Sequence, residues 1–265
     1  MNINELFGVS GKVAIVTGGS RGIGEMITSG FLANGVKVYI TARKEGPLIE
    51  KAEELSKKYN GDCIPIACDL SSTVGTNYFV EEILKHEKGI DFLINNAGAA
   101  WGEPYKSFSE SGWDKVMDLN VKSLFFLTQK LTDLLKANAT KEDPSRVINI
   151  GSIDGLNVPA FETYSYSTSK AAVHHLTRVL AARLVKENIL VNAIAPGPYP
   201  SQMLGAAVNH DYSELALRNP RNRVGKPEDI AGLSIFLCSK AGAYIVGETI
   251  VSDGGIVKTA GHNLG

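Results

Sequence analysis

A short apolar run, a glycine-rich turn and a helical pattern follow one another directly near the start of the chain. The run is VAIVT at residues 13–17, the turn is TGGSRGIG at residues 17–24, and the helical pattern extends from residue 23 to residue 34, before Gly35. The run does not alternate between apolar and polar residues, which is typical of a strand that helices cover on both faces. The junction therefore predicts a strand, a tight turn and a helix, the beginning of a βαβ unit.

The same alternation of short apolar runs and longer amphipathic stretches continues to about residue 200. Further strands are predicted at residues 36–41, 63–67, 90–95, 146–152, 189–195 and 247–253. Helices are predicted near residues 47–59, 73–88, 112–137, 164–187 and 227–239. Repeated βαβ units imply a parallel sheet with right-handed crossovers. We therefore predict an α/β fold, a single doubly wound (Rossmann-type) domain with a parallel sheet flanked by helices.

The chain shows no internal repeat, no low-complexity segment and no composition shift typical of a linker. We therefore expect one domain over residues 1–265, with its core at about residues 11–255. Residues 198–225 form the least regular stretch, and a long connection inside a compact domain is often functional. We predict that this stretch is a mobile loop or lid over a site.

Charge and cysteine content exclude several classes of function. The 27 Lys and Arg against 28 Asp and Glu give a net charge of −1, which argues against binding nucleic acid or an anionic membrane through bulk charge. Three cysteines, no CxxC pair and no apolar signal segment favour a reduced compartment. No apolar run is long enough to span a membrane, so we expect a cytoplasmic protein without nucleic-acid or membrane partners.

The glycine turn suggests a binding site for a dinucleotide. A glycine turn between a strand and a helix lets the backbone approach a pyrophosphate, with the helix N-terminus directed at its charge. The spacing through Gly18, Gly22 and Gly24 is G-x-x-x-G-x-G. Tight turns also use glycine for steric reasons alone, so it is the position directly after the first strand that supports the dinucleotide site.

The end of the second strand favours NADP over NAD. An NAD site usually has a carboxylate there, which binds the ribose 2′-hydroxyl. The sequence reads VYITARKEG, with Arg43 and Lys44 and no acid before Glu45, and Arg21 lies inside the glycine turn. Arginine suits a 2′-phosphate because it can make bidentate contacts. The alternative is that Arg43 and Lys44 only begin a charged loop.

The stretch TYSYSTSK at residues 163–170 contains two tyrosines, and only Tyr166 stands four residues before a lysine. Positions i and i+4 lie on one face of a helix, so Tyr166 and Lys170 can approach each other. An ammonium group beside a phenol favours the phenolate and would lower the pKa of Tyr166. Tyr164 has Thr168 at this spacing, and a threonine has no such effect. The spacing also occurs by chance on solvated helix faces, so this alternative stays open.

Taken together, these residues resemble the short-chain dehydrogenase/reductase family over about residues 11–255. Besides the glycine turn and the Tyr-x-x-x-Lys pair, the similar motifs are CDL with Asp69, NNAG at residues 95–98, DLNV with Asn120, IGSI with Ser152 and IAPG at residues 194–197. Ser201 stands where the family commonly has a threonine that contacts the carboxamide. RVGKPEDIA and GETIVSDGG are also similar to ketoacyl-reductase-like members.

The resemblance implies a catalytic set of Asn120, Ser152, Tyr166 and Lys170. Tyr166 would donate a proton to a carbonyl oxygen as hydride arrives from NADPH, and Ser152 would polarise that oxygen through a hydrogen bond. Asn120 would help carry a water-linked proton path to Lys170, which would also bind the nicotinamide ribose. A turn serine and a capping or helix-kink asparagine are the plainer interpretations of Ser152 and Asn120. The implied cofactor-binding residues are Gly18, Ser20, Arg21, Gly22, Ile23, Gly24, Arg43, Asp69, Leu70, Asn96, Ala97, Gly98, Tyr166, Lys170, Pro196, Gly197 and Ser201.

The chain departs from the family pattern in two places. Ser152 precedes Tyr166 by fourteen residues, where thirteen is commoner, so we expect one extra residue in the intervening loop. Pro198, Tyr199 and Pro200 stiffen a segment that smaller or apolar residues usually lead. Neither departure removes a functional group, so they bear on substrate preference rather than on catalysis.

Other polar and aromatic residues receive plainer interpretations. His174 and His175 lie on the same predicted helix as Lys170, but no further ligands stand at a suitable spacing. We therefore predict no metal site and expect both histidines at the surface or an interface. Tyr164 is assigned to substrate-side lining or packing. Trp101 and Trp113 could contact substrate or pack in the core, and Trp101 lies where strand ends meet the expected crevice.

The resemblance implies an NADPH-dependent carbonyl reductase with a small-molecule carbonyl substrate. The stretch GAAWGEPYKSFSESGWDKVMDLNVKSLFF looks most like the 3-oxoacyl reductases, including the rhamnolipid-pathway type, which suggests a 3-oxoacyl thioester or β-keto ester. Alternatives are a general carbonyl, diketone or sugar reductase, a lyase or epimerase on the same fold, and a catalytically silent NADPH-binding regulator. The family also suggests a homotetramer or homodimer, with the helices near residues 112–137 and 164–187 at one interface and the chain end at another.

Overall fold

The computed structural model describes residues 2–159 and 161–259. Its strands are β1 (Val13–Thr17), β2 (Lys37–Ala42), β3 (Cys63–Ala67), β4 (Phe92–Asn95), β5 (Ser145–Ile150), β6 (Ile189–Pro196) and β7 (Thr249–Ser252). Within the described ranges they form one sheet in the order β3-β2-β1-β4-β5-β6-β7, and all neighbouring strands are parallel. The predicted doubly wound parallel sheet is confirmed. Of the predicted domain 1–265, residues 1, 160 and 260–265 lie outside the described residues, and with them the chain end expected at an interface.

Helices connect and cover the strands. They are α1 (Ile3–Leu6), α2 (Gly22–Ala33), α3 (Glu45–Tyr59), α4 (Thr73–His86), α5 (Glu110–Met117), α6 (Ser123–Asn138), α7 (Tyr164–Leu184), α8 (Gln202–Ala207), α9 (Ser213–Arg218), α10 (Pro227–Cys238) and α11 (Ile256–Thr259). No helix among the described residues combines the length and apolarity that a membrane span requires.

The structure refines two of the predicted segments. The single helix expected at residues 112–137 is divided into α5 and α6 by a π-helical segment, Asp118–Lys122. The stretch at residues 198–225, expected to be irregular, contains the short helices α8 and α9. The Ser201 hydroxyl caps α8 by accepting a hydrogen bond from the Leu204 amide at 3.1 Å, whereas Tyr212 at the N-cap of α9 provides no side-chain cap.

Apolar side chains cover both faces of the sheet, as the uniformly apolar runs predict. In β1, Ala14 and Val16 belong to the core under α2 and α10, whereas Ile15 belongs to the opposite core under α6 and α7. Phe31 of α2 and Leu131 of α6 are both fully buried, one in each core. Burying one such side chain stabilises the fold by about 1.5–3 kcal/mol, so each core is a substantial part of the folding energy.

A fully buried arginine joins the sheet to α10. Arg146 of β5 donates from Nε to the carbonyl oxygen of Leu237 and from Nη2 to that of Ser239, each at 3.2 Å, and from Nη1 to the carbonyl oxygen of Pro144. Carbonyl groups at a helix C-terminus carry partial negative charge, which favours a cation there. Burial lowers the pKa of the guanidinium, but each of its three nitrogens donates to a carbonyl oxygen.

The carboxyl ends of the central strands form one edge where the candidate site lies. The strand order reverses between β1 and β4, and open α/β sheets bind ligands in the crevice at such a reversal. The glycine turn follows β1, NNAG includes the end of β4, Ser152 follows β5 and Gly197 follows β6. The predicted motifs are therefore brought to one edge by topology alone.

Candidate active site

Tyr166 and Lys170 approach each other in the first turns of α7. Lys170 is buried, and its Nζ lies 5.5 Å from the centroid of the Tyr166 ring. The same Nζ donates a hydrogen bond to the main-chain carbonyl oxygen of Ile150 at 2.8 Å. Because Ile150 ends β5, this bond fixes the ammonium group between the sheet and α7. The predicted approach of the two side chains is confirmed.

The pKa of Tyr166 shifts in the direction opposite to our expectation. Burial raises the pKa of Tyr166 to about 12, against a hydrogen bond with Ser152 that lowers it, and the charge of Asp154 raises it further. Burial also lowers the pKa of Lys170 to about 8. The expected low pKa of Tyr166 is not found in the protein alone, because loss of hydration penalises the phenolate more than its neighbours favour it.

Ser152 lies on the turn between β5 and α7. Its hydroxyl oxygen accepts a hydrogen bond from the Asp154 amide at 3.1 Å, which caps the short 3₁₀ turn Ile153–Gly155. The residue is 7% exposed, and its hydroxyl lowers the pKa of the Tyr166 phenol, so the two predicted catalytic side chains are neighbours. The serine is therefore both a turn residue and a neighbour of the phenol.

His174 corrects a prediction. We expected His174 and His175 at the surface, but His174 is only 4% exposed and its Nε2 lies 3.4 Å from the Ser152 amide nitrogen. Burial, followed by the charges of Lys170 and Arg178, lowers the pKa of His174 to about 4. His175 is exposed, as expected, and its Nδ1 lies 3.0 Å from Nη2 of Arg178.

Asn120 lies in the π-helical segment and ties two parts of the site together. Its Oδ1 accepts from the Ala99 amide at 2.8 Å, and its Nδ2 donates to the Ala99 carbonyl at 3.0 Å and to the Ser169 hydroxyl at 2.9 Å. Both donors of the side-chain amide are therefore engaged. A Cβ at Gly98 would lie 3.2 Å from Oδ1 of Asn120 and 3.7 Å from Nζ of Lys170, so the loop after β4 passes close to the lysine.

The glycine turn fits a pyrophosphate. Gly18 and Gly22 have φ of 65° and 55°, values that favour glycine, and a Cβ at Gly24 would overlap the carbonyl oxygen of Gly18. Arg21 is the N-cap of α2 but provides no side-chain cap. The first amides of this twelve-residue helix are therefore available to an anion, and the turn, which includes Ser20 and Ile23, leaves room for one.

The two predicted 2′-phosphate ligands lie at the same edge of the sheet. Arg43 is exposed just after β2. Arg21 is also exposed, and its Nη1 donates to Oε1 of Gln202 at 2.6 Å, so its guanidinium reaches α8 in the predicted lid. A Cβ at Gly22 would lie 3.1 Å from Cβ of Ser201, which places the start of α8 directly against the glycine turn.

The remaining predicted cofactor ligands surround the same crevice. Asn96 donates from Nδ2 to the carbonyl oxygens of Thr17 at 2.8 Å and Gly18 at 3.2 Å. Asp69 is exposed after β3, and its Oδ1 accepts from the amide and hydroxyl of Ser71 at 3.0 and 2.7 Å. Of the others, Leu70 is buried beside Asp69, Ala97 and Gly98 follow Asn96, Pro196 pairs with Ser252 in β7, and Gly197 packs against Asp253.

Sequence reasoning missed two residues of this region, Thr17 and His174. The Thr17 hydroxyl accepts hydrogen bonds from the amides of Asn96 and Ala97, each at 2.9 Å, and donates to the carbonyl oxygen of Ile94 at 3.3 Å. It therefore joins the ends of β1 and β4, which flank the crevice. Its position as the last residue of the first strand was the available signal.

Aromatic residues form a wall beside the site. The Tyr164 hydroxyl donates to Oε1 of Glu162 at 2.9 Å, and its ring packs edge-on against Tyr105 and Phe108. This agrees with the packing role assigned to Tyr164. Trp101 is half-buried against α5, where Nζ of Lys115 lies 4.3 Å from its ring centroid.

Comparisons with known proteins agree with this arrangement. A family model described as enoyl-(acyl carrier protein) reductase matches residues 18–257. The rhamnolipids biosynthesis 3-oxoacyl-[acyl-carrier-protein] reductase of Pseudomonas aeruginosa is 45% identical over 251 residues, which cover 94% of this chain and 97% of that protein.

Solved structures are similar over nearly the whole length. The Pseudomonas aeruginosa RhlG/NADP active-site complex has a TM-score of 0.91 and 43% identity, covering 97% of this chain and 100% of that one. L-sorbose reductase from Gluconobacter frateurii, complexed with NADPH and L-sorbose, has a TM-score of 0.87 and 29% identity, covering 96% of this chain and 99% of that one. On the fold, the site geometry and these matches, the chain belongs to the short-chain dehydrogenase/reductase family.

Proposed function

We propose that this protein is an NADPH-dependent reductase that converts the ketone of a 3-oxoacyl thioester to a secondary alcohol. The observation that supports the proposal is that Ser152, Tyr166 and Lys170 lie close together at the same edge of the sheet as the glycine turn. No side chain caps the first amides of α2 at that turn. The arrangement supplies a proton donor, a second hydrogen-bond donor and an anion site at one edge of the sheet. The names of the related Pseudomonas aeruginosa reductase support the substrate class.

The side chains have distinct parts in the reduction. NADPH, when bound, supplies the hydride. Tyr166 is a neutral phenol at neutral pH, since burial raises its pKa to about 12, and it donates its proton to the carbonyl oxygen. Ser152 donates its hydroxyl hydrogen to the same oxygen and holds the carbonyl near the phenol. This charge stabilisation lowers the barrier as the oxygen becomes an alkoxide.

Lys170 returns a proton to Tyr166 after each turnover. Burial lowers its pKa to about 8, so the group can lose and regain a proton near neutral pH. One of its hydrogens is committed to the Ile150 carbonyl, which fixes the position of Nζ. The other two remain for the Tyr166 hydroxyl, the ribose or a water. Asn120 acts as the support of this set, because its side chain already bonds Ala99 and Ser169.

The cofactor is held along the same edge. Amides of the turn at residues 18–24 would bind the pyrophosphate, and Arg21 and Arg43 would bind the 2′-phosphate. Asp69 and Leu70 would contact the adenine side. Asn96, Ala97 and Gly98 would line the middle of the cofactor, and Pro196, Gly197 and Ser201 would line the nicotinamide pocket. The RhlG/NADP complex, similar over the whole of that chain, supports NADP as the cofactor.

Apolar side chains near the reacting group favour an acyl substrate. Leu156, Val158 and Phe161 lie on the loop between Ser152 and Tyr166, and they are 43%, 94% and 50% exposed. Met203 of α8 and Leu217 of α9 are also exposed, at 45% and 77%. Exposed apolar side chains around a site mark a binding surface for an apolar ligand. An acyl tail extending from the ketone would cover them.

The test measures NADPH consumption with a series of ketones. We expect turnover of 3-oxoacyl thioesters, with kcat/KM rising from acetoacetyl-CoA to longer 3-oxoacyl chains, and little activity when NADH replaces NADPH. A preference for small diketones would contradict the acyl substrate while keeping the reaction class. No consumption of NADPH by any ketone, with NADPH still bound, would contradict the reductase and favour a regulator.

A keto sugar is the second candidate substrate. The carboxyl group of Asp154, in the turn that carries Ser152, makes no hydrogen bond or ion pair with another described side chain, so it could accept a bond from a sugar hydroxyl. The similar structure of L-sorbose reductase supports including such a substrate. We expect L-sorbose to be a poorer substrate than 3-oxoacyl thioesters. The reverse order would replace the main proposal.

We also propose that the protein is a cytoplasmic homotetramer, with a homodimer as the smaller alternative. Phe126 of α6 and Val179 of α7 are 43% and 52% exposed, and pairing of these helices between copies would cover them. Three free cysteines among the described residues support a reduced compartment. Light scattering of the purified protein tests the assembly, and fractionation of the source cells tests the location. A monomer would contradict the first.

A further inference from the structure

We infer that His174 is a positioning residue of the active site, whose imidazole holds the turn carrying Ser152 against α7. His174 takes no direct part in the proposed reduction, but its positioning role rests on that proposed function. His174 lies one turn of α7 beyond Lys170, on the buried side of the helix. Its ring faces the segment that follows β5 and carries Ser152.

The contacts of the ring are with the backbone around Ser152. The Ser152 amide donates to Nε2 at 3.4 Å, a long hydrogen bond that ties the ring to the catalytic turn. Gly151 and Gly155 flank that turn, and neither has a positive φ. Both are needed for space: a Cβ at Gly151 would overlap Nε2, and a Cβ at Gly155 would lie 2.6 Å from main-chain atoms of Lys170 and Ala171 and 3.0 Å from Cε1. The imidazole and the two glycines therefore fit together as one packing unit.

The imidazole has a hydrogen-bond acceptor, which is not needed merely to fill the space. An amide can donate only to an unprotonated nitrogen, so Nε2 is the acceptor and the proton resides on Nδ1. Nδ1 is buried and has no hydrogen-bond partner of ordinary length and angle among the described residues, so the Gly155 backbone, which raises the pKa of the ring, is at most a weak partner. An apolar side chain would fill this space without leaving a buried donor unpaired. The feature that distinguishes the imidazole is its acceptor edge toward Ser152.

Displacement of the turn would change two properties of the site. Ser152 would lose its position relative to the carbonyl oxygen, and near-attack geometry is sensitive to shifts of about 1 Å. Ser152 would also move from Tyr166, and the pKa of the phenol, which the Ser152 hydroxyl lowers, would rise. Loss of the Nε2 acceptor should therefore reduce kcat and raise the apparent pKa of the phenol, while the glycine turn that binds NADPH stays unchanged.

A matched pair of substitutions separates the acceptor from the volume of the ring. Glutamine and methionine are nearly equal in shape, but only the Oε1 of glutamine can accept a bond where Nε2 lies. We expect His174→Met to lower kcat at least about tenfold, with an unchanged dissociation constant for NADPH. In the pH profile of alcohol oxidation, the direction that needs the phenolate, we expect a higher apparent pKa. We expect His174→Gln to retain kcat within about threefold and an unshifted profile, because the acceptor is restored.

The same substitutions at exposed His175 are the controls, and we expect both to leave kcat unchanged. Equal losses in His174→Met and His174→Gln, at equal thermal stability, would overturn the inference, because the acceptor would then have no effect. An inactive wild-type protein would instead contradict the proposed reduction.

A spectroscopic measurement tests His174 without any turnover. Nitrogen-15 spectra of the imidazoles at pH 7, assigned with the His174→Gln variant, should show a neutral ring protonated on Nδ1. A proton on Nε2, or a charged ring, would overturn the inference.

Discussion

At the scale of single residues, burial is the main influence on the chemistry of the site. It raises the pKa of Tyr166 to about 12 and lowers that of Lys170 to about 8. Both shifts favour neutral forms, since the low dielectric of the interior penalises charge. Tyr166 therefore keeps its proton at neutral pH and can donate it. The pKa of Lys170 lies close to neutral pH, so Lys170 can exchange a proton with its surroundings.

Removing the phenol hydroxyl should abolish turnover without affecting the cofactor. We expect Tyr166→Phe to reduce kcat about a thousandfold, because no other donor replaces the proton source, with NADPH affinity within about twofold of wild type. Tyr164→Phe is the matched control, since it loses only the bond to Glu162 and should keep near-normal kcat. Steady-state kinetics and NADPH fluorescence measure the two effects. Near-normal kcat in Tyr166→Phe would refute the mechanism.

The two pKa shifts predict opposite pH dependences for the two directions of reaction. Reduction needs the phenol and the protonated lysine, so its kcat should be constant below the Lys170 pKa of about 8 and fall above it. Alcohol oxidation needs the phenolate, whose fraction grows as pH rises toward the Tyr166 pKa of about 12, so its rate should increase with pH. Pre-steady-state rates in both directions across pH 6–10 measure this. A reduction rate that rises with pH would contradict the assignments.

At the scale of secondary structure, the strands were predictable within about two residues because the inner strands are buried on both faces, and the partly buried edge strands β3 and β7 are still mainly apolar. The break between α5 and α6 agrees with the helix-kink interpretation of Asn120, but the pattern alone did not establish it, since the contacts of Asn120 are with Ala99 and Ser169, which are distant in the chain. The burial of His174 could have been predicted. Val173, Thr177 and Leu180 mark the buried stripe of α7, and His174 belongs to it by helical spacing.

The candidate site was predictable to the extent that its residues belong to motifs at strand ends. The pKa direction of Tyr166 was not, because it depends on burial that only the packed site reveals. The bond between Arg21 and Gln202 also depends on where the stretch at residues 198–225 lies over the glycine turn. A local sequence pattern does not show where that stretch packs in the folded chain.

One charged side chain, that of Arg146, donates hydrogen bonds from β5 to the C-terminus of α10. Arg146→Met keeps much of the volume but removes the side-chain donor from the carbonyl oxygens of Leu237, Ser239 and Pro144, of which Ser239 keeps the Gly242 amide as a donor. We expect the free energy of unfolding to fall by about 3 kcal/mol, measured by urea denaturation. Arg183→Met, at an exposed ion pair with Glu187, is the control and should change it by less than about 1 kcal/mol. Equal stability of Arg146→Met and wild type would show that the buried bonds contribute nothing net.

At the scale of the whole molecule, the proposed cofactor site is assembled from loops that follow different strands. The glycine turn after β1, the Asn96 loop after β4 and the Ser201 region after β6 approach one another at one edge. Such a site exists only in the folded chain. A ligand that binds there should therefore stabilise the entire fold, by an amount set by its concentration relative to its dissociation constant.

NADPH should raise the melting temperature more than NADH does at equal concentration. At roughly 100 times its dissociation constant, NADPH adds about 2.7 kcal/mol, which for a chain of this size corresponds to roughly 5–10 °C. We expect Arg43→Asp to reduce the NADPH shift and to increase the NADH shift, because a carboxylate repels the 2′-phosphate and accepts a bond from the 2′-hydroxyl. Lys44→Asp is the matched control. A similar reversal in that variant would show that Lys44, rather than Arg43, contacts the 2′-phosphate. Equal shifts for NADPH and NADH in the wild-type protein would contradict selection of NADP by Arg21 and Arg43.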